Sequence, residues 1–252
     1  MTEYGLITGS GFYDFGLDKK TKIVSTEYGK VSIDFISING KEVAHISRHG
    51  KNHEILSSMV NHKANIMAMS KIGVKLIIST TVCGIVNEKL ELGKLLLFDD
   101  LFFLDNRLPN GELCTFFTKV GGSRGHYIFS NPFNLEILNK IDSYSKVTYG
   151  HVNGPRFNSK TEIKFIKNYA DAISQTCGPE AILSGELEIP YILLGFGVDY
   201  ANGIKPKPTT MKQLQKNMGN SKTIFKEAIE KIFSSSLPKF DGFVYRFDKK
   251  DV

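Results

Sequence analysis

Apolar runs of strand length, each emptying into a polar or glycine-rich turn, most constrain how this chain folds. Tyr4 to Thr8 ends in Gly9-Ser10-Gly11, and Val43 to Ile46 runs into Ser47-Arg48-His49-Gly50-Lys51-Asn52-His53. Val74 to Ile78 runs into Ser79-Thr80-Thr81-Val82-Cys83-Gly84, Leu95 to Phe98 into Asp99-Asp100, and Pro190 to Gly197 into Val198-Asp199-Tyr200. Short apolar runs bounded by turn residues read as buried strands; Lys146 to Val152 and Ala172-Ile173 add two more. Val31, Ile33 and Phe35 alternate, and Asn39-Gly40 predicts a hairpin turn before Val43. Helical spacing marks Val60, Ala64, Met67, Ala68 and Ile72, ending at Gly73, and Ile224, Phe225, Ala228, Ile229 and Ile232 near the end of the chain. Asn158 or Ser159 caps another helix reaching about Lys167, and Glu180 to Glu188 is a brief one. Strands alternating with helices give an α/β protein, one mixed sheet flanked by helices.

The 252 residues carry no internal repeat and no low-complexity linker, so residues 1–252 are expected to form a single domain. A net charge of +6 rests on scattered lysines rather than a basic stripe. That pattern excludes a nucleic-acid footprint and suits small anionic ligands. Three widely spaced cysteines without a CxxC imply neither a disulfide framework nor a thiolate metal site. No signal-peptide pattern opens the chain and no apolar run reaches the roughly 18 residues of a membrane span. The expectation is a cytoplasmic protein with no membrane partner.

Three constellations fail on context. Gly121-Gly122-Ser123-Arg124-Gly125 fits the G-x-S-x-G elbow of serine hydrolases, but strand-forming residues and Asn131-Pro132 follow where a helix is required. His45, His49 and His53 are four apart, a spacing that serves zinc on a helix; here the stretch begins as a strand and Gly50 interrupts it. Asp99 and Asp100 are neighbours on a strand and point to opposite faces. The glycine loop after the first strand is not a dinucleotide fingerprint, because Asp14 stands where its third glycine belongs. The strand ends remain: Ser10, Arg48-His49, Thr81, Thr176 and Asp199 each follow an apolar run. Ligands of open α/β sheets collect where strands end. Hydroxyls, a guanidinium and backbone N–H groups suit an anion, whereas a lone carboxyl behind a buried strand suits acid–base work.

Arg48-His49-Gly50-x-x-His53, Val60-Asn61-His62-x-Ala64-Asn65, Thr80-Thr81-Val82-Cys83-Gly84, Gly154-Pro155-Arg156-Phe157, Thr176-x-x-Pro179-Glu180 and Asp199-Tyr200 occur in an order and spacing that resembles the methylthioadenosine/purine nucleoside phosphorylase family. The resemblance runs from Gly9 to about Tyr200. It implies the phosphorylase-type mixed sheet with a small distorted barrel. It also implies phosphorolysis of a purine nucleoside to free base and (methylthio)ribose 1-phosphate, with inorganic phosphate as co-substrate and no metal or organic cofactor. Asp199 and His49 would be catalytic. Phosphate would bind at Ser10, Arg48, His49, Thr81, Val82 and Thr176. Phe157 would stack on the purine, Asp199 would address the base near N7, and Asn158, Gln175, Ala201 and His53 would line the base and sugar. His126, within a loop-rich excursion from Asp105 to Phe133, matches a residue that the family lends to a neighbouring subunit, and the resemblance implies a homotrimer or a dimer of trimers.

The chain departs from the family at the positions that read the substrate. Gln175 in Ser174-Gln175-Thr176 replaces a methionine under the ribose, Asn158 replaces a serine, and Ala201 stands where methylthioadenosine enzymes carry a second carboxylate. The expectation is relaxed specificity, with 6-oxopurine nucleosides accepted beside adenine ones. Hydrolysis by water and a non-catalytic nucleoside-binding role are the competing readings.

Overall fold

The computed structural model describes residues 2–10, 19–119, 125–137, 141 and 145–246. Its centre is a nine-stranded mixed sheet in the order β10-β6-β8-β9-β5-β1-β4-β3-β2. The strands are β1 (Tyr4–Thr8), β2 (Lys20–Thr26), β3 (Gly29–Ile38), β4 (Lys41–Ser47), β5 (Leu76–Ile85), β6 (Leu95–Phe102), β8 (Ser145–His151), β9 (Ala172–Ser174) and β10 (Tyr191–Tyr200). β10 also pairs with β5, which closes β10, β6, β8, β9 and β5 into a five-stranded barrel within the larger sheet. β7 (Gly125–Phe129) and β11 (Gly242–Arg246) form a separate antiparallel pair. The helices among the described residues are α1 (His62–Lys71), α2 (Lys160–Ile166), α3 (Cys177–Glu186) and α4 (Met211–Phe233).

Sequence chemistry explains most of these elements. β1 and the first eight residues of β10 are buried throughout, as expected of strands covered on both faces. Among the described residues β2 pairs only with β3; its exposed Lys20 and Lys22 blunt the sheet edge against pairing with other chains. Asn39 and Gly40 both take positive φ, the conformation of a two-residue hairpin turn, and join β3 to β4. Ser159 caps α2 in a reciprocal arrangement with Glu162. α4 buries Phe225, Ala228, Ile229 and Ile232 in a core shared with Leu194 and Phe196 of β10 and Leu95 and Leu97 of β6.

The structure corrects four boundaries. β5 does not stop at Ile78: Ser79 to Ile85 continue it, held by β10 on one side and β1, then β9, on the other. β6 runs on through Asp99 and Asp100 to Phe102, with an irregularity in its pairing to β8 between Phe98 and Asp100. α3 begins at Cys177, before Glu180, because Pro179 in a first helical turn sacrifices no hydrogen bond. The excursion from Asp105 to Phe133 contains β7, whose partner β11 lies far along the chain. Gly11, Asp14 and Gly121 to Arg124 lie outside the described residues; Gly125 opens a strand.

Candidate active site

Strand register gathers the predicted residues. β1, β4 and β5 run parallel side by side, with Thr8 level with Ser47 and Ile7 level with Ser79. The residues just past the ends of β1 and β4, Gly9-Ser10 and Arg48-His49, therefore come level with Thr80-Thr81-Val82 inside β5. The Arg48 amide donates to the Thr8 carbonyl at 2.9 Å, and the Gly9 amide to the Thr80 hydroxyl at 3.3 Å. β9 runs antiparallel to the end of β5 and delivers Ser174, whose hydroxyl lies 2.8 Å from that of Thr81 and 2.8 Å from that of Tyr149. Thr176 follows as the N-cap of α3. Its hydroxyl makes no capping bond, and the N-terminus of this helix faces the same neighbourhood.

Arg48 is wholly buried and largely spoken for. Its Nε donates to Glu180 Oε1 at 2.5 Å; its Nη2 donates to Glu180 Oε2 at 2.9 Å and to the Ser79 hydroxyl at 2.5 Å. Nη1 donates to the Thr80 carbonyl at 3.1 Å. The guanidinium fork that the sequence offered to an anion is thus engaged with Glu180, and Nη1 is the nitrogen with a donor to spare. Nη1 lies against Gly9, where a Cβ would stand 2.7 Å away; this close approach requires glycine. Burial alone would raise the Glu180 pKa, but the charge and hydrogen bonds of Arg48 outweigh it and hold the carboxyl below its ordinary value.

His49 Nδ1 lies 2.8 Å from the Ile55 carbonyl oxygen, which only accepts, so Nδ1 carries a proton. Burial, reinforced by the Arg48 charge, pushes the His49 pKa down to about 4. At neutral pH the ring is uncharged, and Nε2 is an acceptor. His53, at positive φ, stacks on it at 5.0 Å between ring centroids.

Asp199 sits one strand away. β10 runs parallel to β5, Gly195 level with Thr81 and Asp199 level with Gly84, with a register shift between Gly197 and Asp199. Such irregularities re-aim side chains next to sites. Burial raises the Asp199 carboxyl to about 6, with no neighbouring charge contributing. Asp199 Oδ1 and Ala201 Cβ both border Gly84, at 3.6 and 3.7 Å from where its Cβ would be, so position 201 faces the same corner without a second carboxylate.

Gln175 bridges the two halves of the site. Its carbonyl accepts from the Ser57 hydroxyl at 2.7 Å and its amide donates to the Arg156 carbonyl at 3.1 Å, so both ends are engaged with protein. Phe157, expected to cover a base, is 82% exposed. The carbonyl of Asn158 accepts from Asn202 Nδ2 at 2.7 Å, which ties the Phe157 loop to the end of β10. His126 is exposed on β7, outside the sheet whose strand ends carry the other residues. Sequence reasoning quoted Glu180 in the Thr176-x-x-Pro179-Glu180 motif without giving it a role, and missed Ser79, Ser57 and Ser174 as partners; a glutamate among small and apolar residues in Cys177 to Gly185 was a further signal. Among the described residues no three His, Cys, Asp or Glu side chains gather as a metal ion requires, and no helix is long and apolar enough to cross a membrane.

The sequence profile described as "Phosphorylase superfamily" matches residues 3–234. The chain is 33% identical over 246 residues to a probable 6-oxopurine nucleoside phosphorylase of Dictyoglomus turgidum, covering 93% of this chain and 90% of the relative. It is 36% identical over 250 residues to an S-methyl-5'-thioadenosine phosphorylase of Nitrosopumilus maritimus, covering 91% and 92%. Among solved structures, a methylthioadenosine phosphorylase from an Antarctic soil metagenomic library superposes with a TM-score of 0.80 at 28% identity, covering 94% of this chain and 88% of that one.

Proposed function

The chain belongs to the phosphorylase superfamily, and on that premise we propose that it is a pentosyltransferase that cleaves purine nucleosides with inorganic phosphate. The observation that carries this reading is the alignment of the ends of β1 and β4 with the middle of β5, which brings Ser10, Arg48, His49, Thr81 and Val82 to one level beside the α3 N-terminus. Helix N-termini, backbone N–H groups, hydroxyls and a guanidinium are what a phosphate needs.

In the proposed reaction phosphate lies among Ser10, Arg48 Nη1, His49, Thr81, the Val82 amide and Thr176. His49 Nε2, an acceptor at neutral pH, accepts a hydrogen bond from the P–OH of phosphate and so turns an unprotonated oxygen toward the anomeric carbon. The glycosidic bond lengthens first, and the negative phosphate stabilises the oxocarbenium-like sugar before capturing it. The departing purine accumulates charge. A carboxyl poised near pH 6 by burial can protonate or hydrogen-bond N7, and Asp199 takes that role. Phosphate is the co-substrate and no further cofactor enters.

Phe157, Asn158 and Ala201 take the base side, and Gln175 and His53 the sugar side. Phe157 stacks on the purine when it binds. Because Ala201 supplies no second carboxylate, the site makes no strict demand for a 6-amino group, and both 6-oxopurine and adenine nucleosides are substrates. His126 serves a neighbouring protomer of a homotrimer or a dimer of trimers. The test is phosphorus NMR of inosine incubated with enzyme and phosphate. A new phosphomonoester resonance of ribose 1-phosphate supports the reading; free ribose with unchanged phosphate identifies a nucleosidase instead.

A further inference from the structure

We infer that Glu180 is a positioning residue for phosphate: it fixes the Arg48 guanidinium so that Nη1 alone turns to the anion, and it cancels the charge that Arg48 brings to the site. The inference rests on the reading of these strand ends as a phosphate site. Glu180 lies in the first turn of α3, where the helix dipole favours a carboxylate, and is wholly buried. Both of its oxygens are engaged by protein donors. Oε1 accepts from Arg48 Nε; Oε2 accepts from Arg48 Nη2, from the Ser79 hydroxyl at 2.8 Å and from the Tyr191 hydroxyl at 2.8 Å. Both oxygens are out of solvent and bonded to protein groups, so Glu180 acts through Arg48 rather than on the reactants.

The arrangement is more than an ion pair holding two elements together. Ser79, which bonds both Arg48 and Glu180, stands two residues before Thr81 on β5, so one strand anchors the pair and presents a phosphate hydroxyl. Turning the guanidinium to offer its fork to phosphate would break the contacts of Nε and Nη2 and strand a buried carboxylate. Arg48 is thereby held in one orientation before phosphate arrives, which is preorganisation rather than induced fit. With Arg48 neutralised by Glu180 and His49 uncharged, these groups bring no net positive charge to the site, so phosphate is held chiefly by directed hydrogen bonds and the α3 N-terminus.

The experiment measures KM separately for phosphate and for inosine in the wild type, Glu180→Gln, Glu180→Asp and Tyr191→Phe, with thermal unfolding of each. Glu180→Gln places an amide donor against an Arg48 donor; it should raise the phosphate KM roughly tenfold or more while the inosine KM stays within about twofold. Glu180→Asp keeps the charge and should recover part of the loss. Tyr191→Phe removes one outer bond and keeps the pair; it should raise the phosphate KM a few-fold with little change in Tm, and it decides the matter if Glu180→Gln does not fold. An unmoved phosphate KM in the folded variants, or phosphate and inosine constants that shift together in step with Tm, overturns the inference. Base release by the wild type that ignores phosphate overturns the phosphate-site reading instead, so the two failures are distinguishable.

Discussion

The Arg48 guanidinium meets the Glu180 carboxylate edge to edge, Nε to Oε1 at 2.5 Å and Nη2 to Oε2 at 2.9 Å, with both side chains out of solvent. Removing one partner of such a pair leaves the other charged and buried, at a cost of about 3–5 kcal/mol. Arg48→Ala should therefore lower Tm sharply as well as weaken phosphate binding. The double variant Arg48→Met/Glu180→Leu removes both charges and keeps the volume. It should regain most of the stability yet none of the phosphate affinity. Thermal unfolding and phosphate titration of the three proteins check this; recovery of phosphate affinity in the double variant would contradict it.

Acid should destabilise the fold through histidines held neutral. Burial, first in each case, depresses His49 and His62 to about 4 and His151 to about 3. Unfolded imidazoles take protons near pH 6.5. Between that value and the folded pKa the unfolded state binds more protons, so stability falls as pH is lowered through the window. His62, whose ring nitrogens have no hydrogen-bond partner among the described residues, is the cleanest probe. His62→Leu should flatten the fall of unfolding free energy from pH 6.5 to 4.5 in urea melts; an unchanged slope would show that His62 is not among the groups responsible.

Asp199 should have the opposite sign. Its carboxyl ionises near 3.8 when unfolded and near 6 when folded, so the folded state binds the proton more tightly and burial opposes folding increasingly as pH rises through that range. Asp199→Asn should add on the order of 1–3 kcal/mol of stability above pH 6 and little at pH 4. The same variant should lower turnover by roughly 10²–10⁴-fold, the range of general acid catalysis. Wild-type activity in Asp199→Asn removes the proposed acid; a stability gain that does not depend on pH removes the burial argument.

Gln175 and Ser57 should be energetically coupled. The hydrogen bond between them joins the turn after the Arg48 loop to the loop that carries Phe157. A double-mutant cycle of Ser57→Ala and Gln175→Met should show an interaction energy of about 0.5–1.5 kcal/mol in kcat/KM for inosine. Additive effects would show that the bridge does not transmit to substrate.

Much of the fold was legible because buried strands and the amphipathic α4 leave local patterns. The strand ends at Ser10, Arg48 and Asp199 were legible for the same reason. β5 overran its expected end because hydroxyls and glycine read as a turn, although Thr, Val and Ile are strand formers and β10 was waiting to pair with them. The engagement of Arg48 was not legible: Glu180 lies 132 residues away, and nothing local says which carboxylate a guanidinium meets. The exposure of Phe157 was equally hidden, since an aromatic residue in a loop carries no mark of what covers it.

The central claim, phosphate-dependent cleavage with a base site that does not insist on a 6-amino group, is tested most directly by base release from methylthioadenosine, adenosine, inosine and guanosine over a range of phosphate concentrations. The account predicts saturable dependence on phosphate and turnover of both adenine and 6-oxopurine nucleosides. Release at the same rate without phosphate, or release from adenine nucleosides alone, would contradict it.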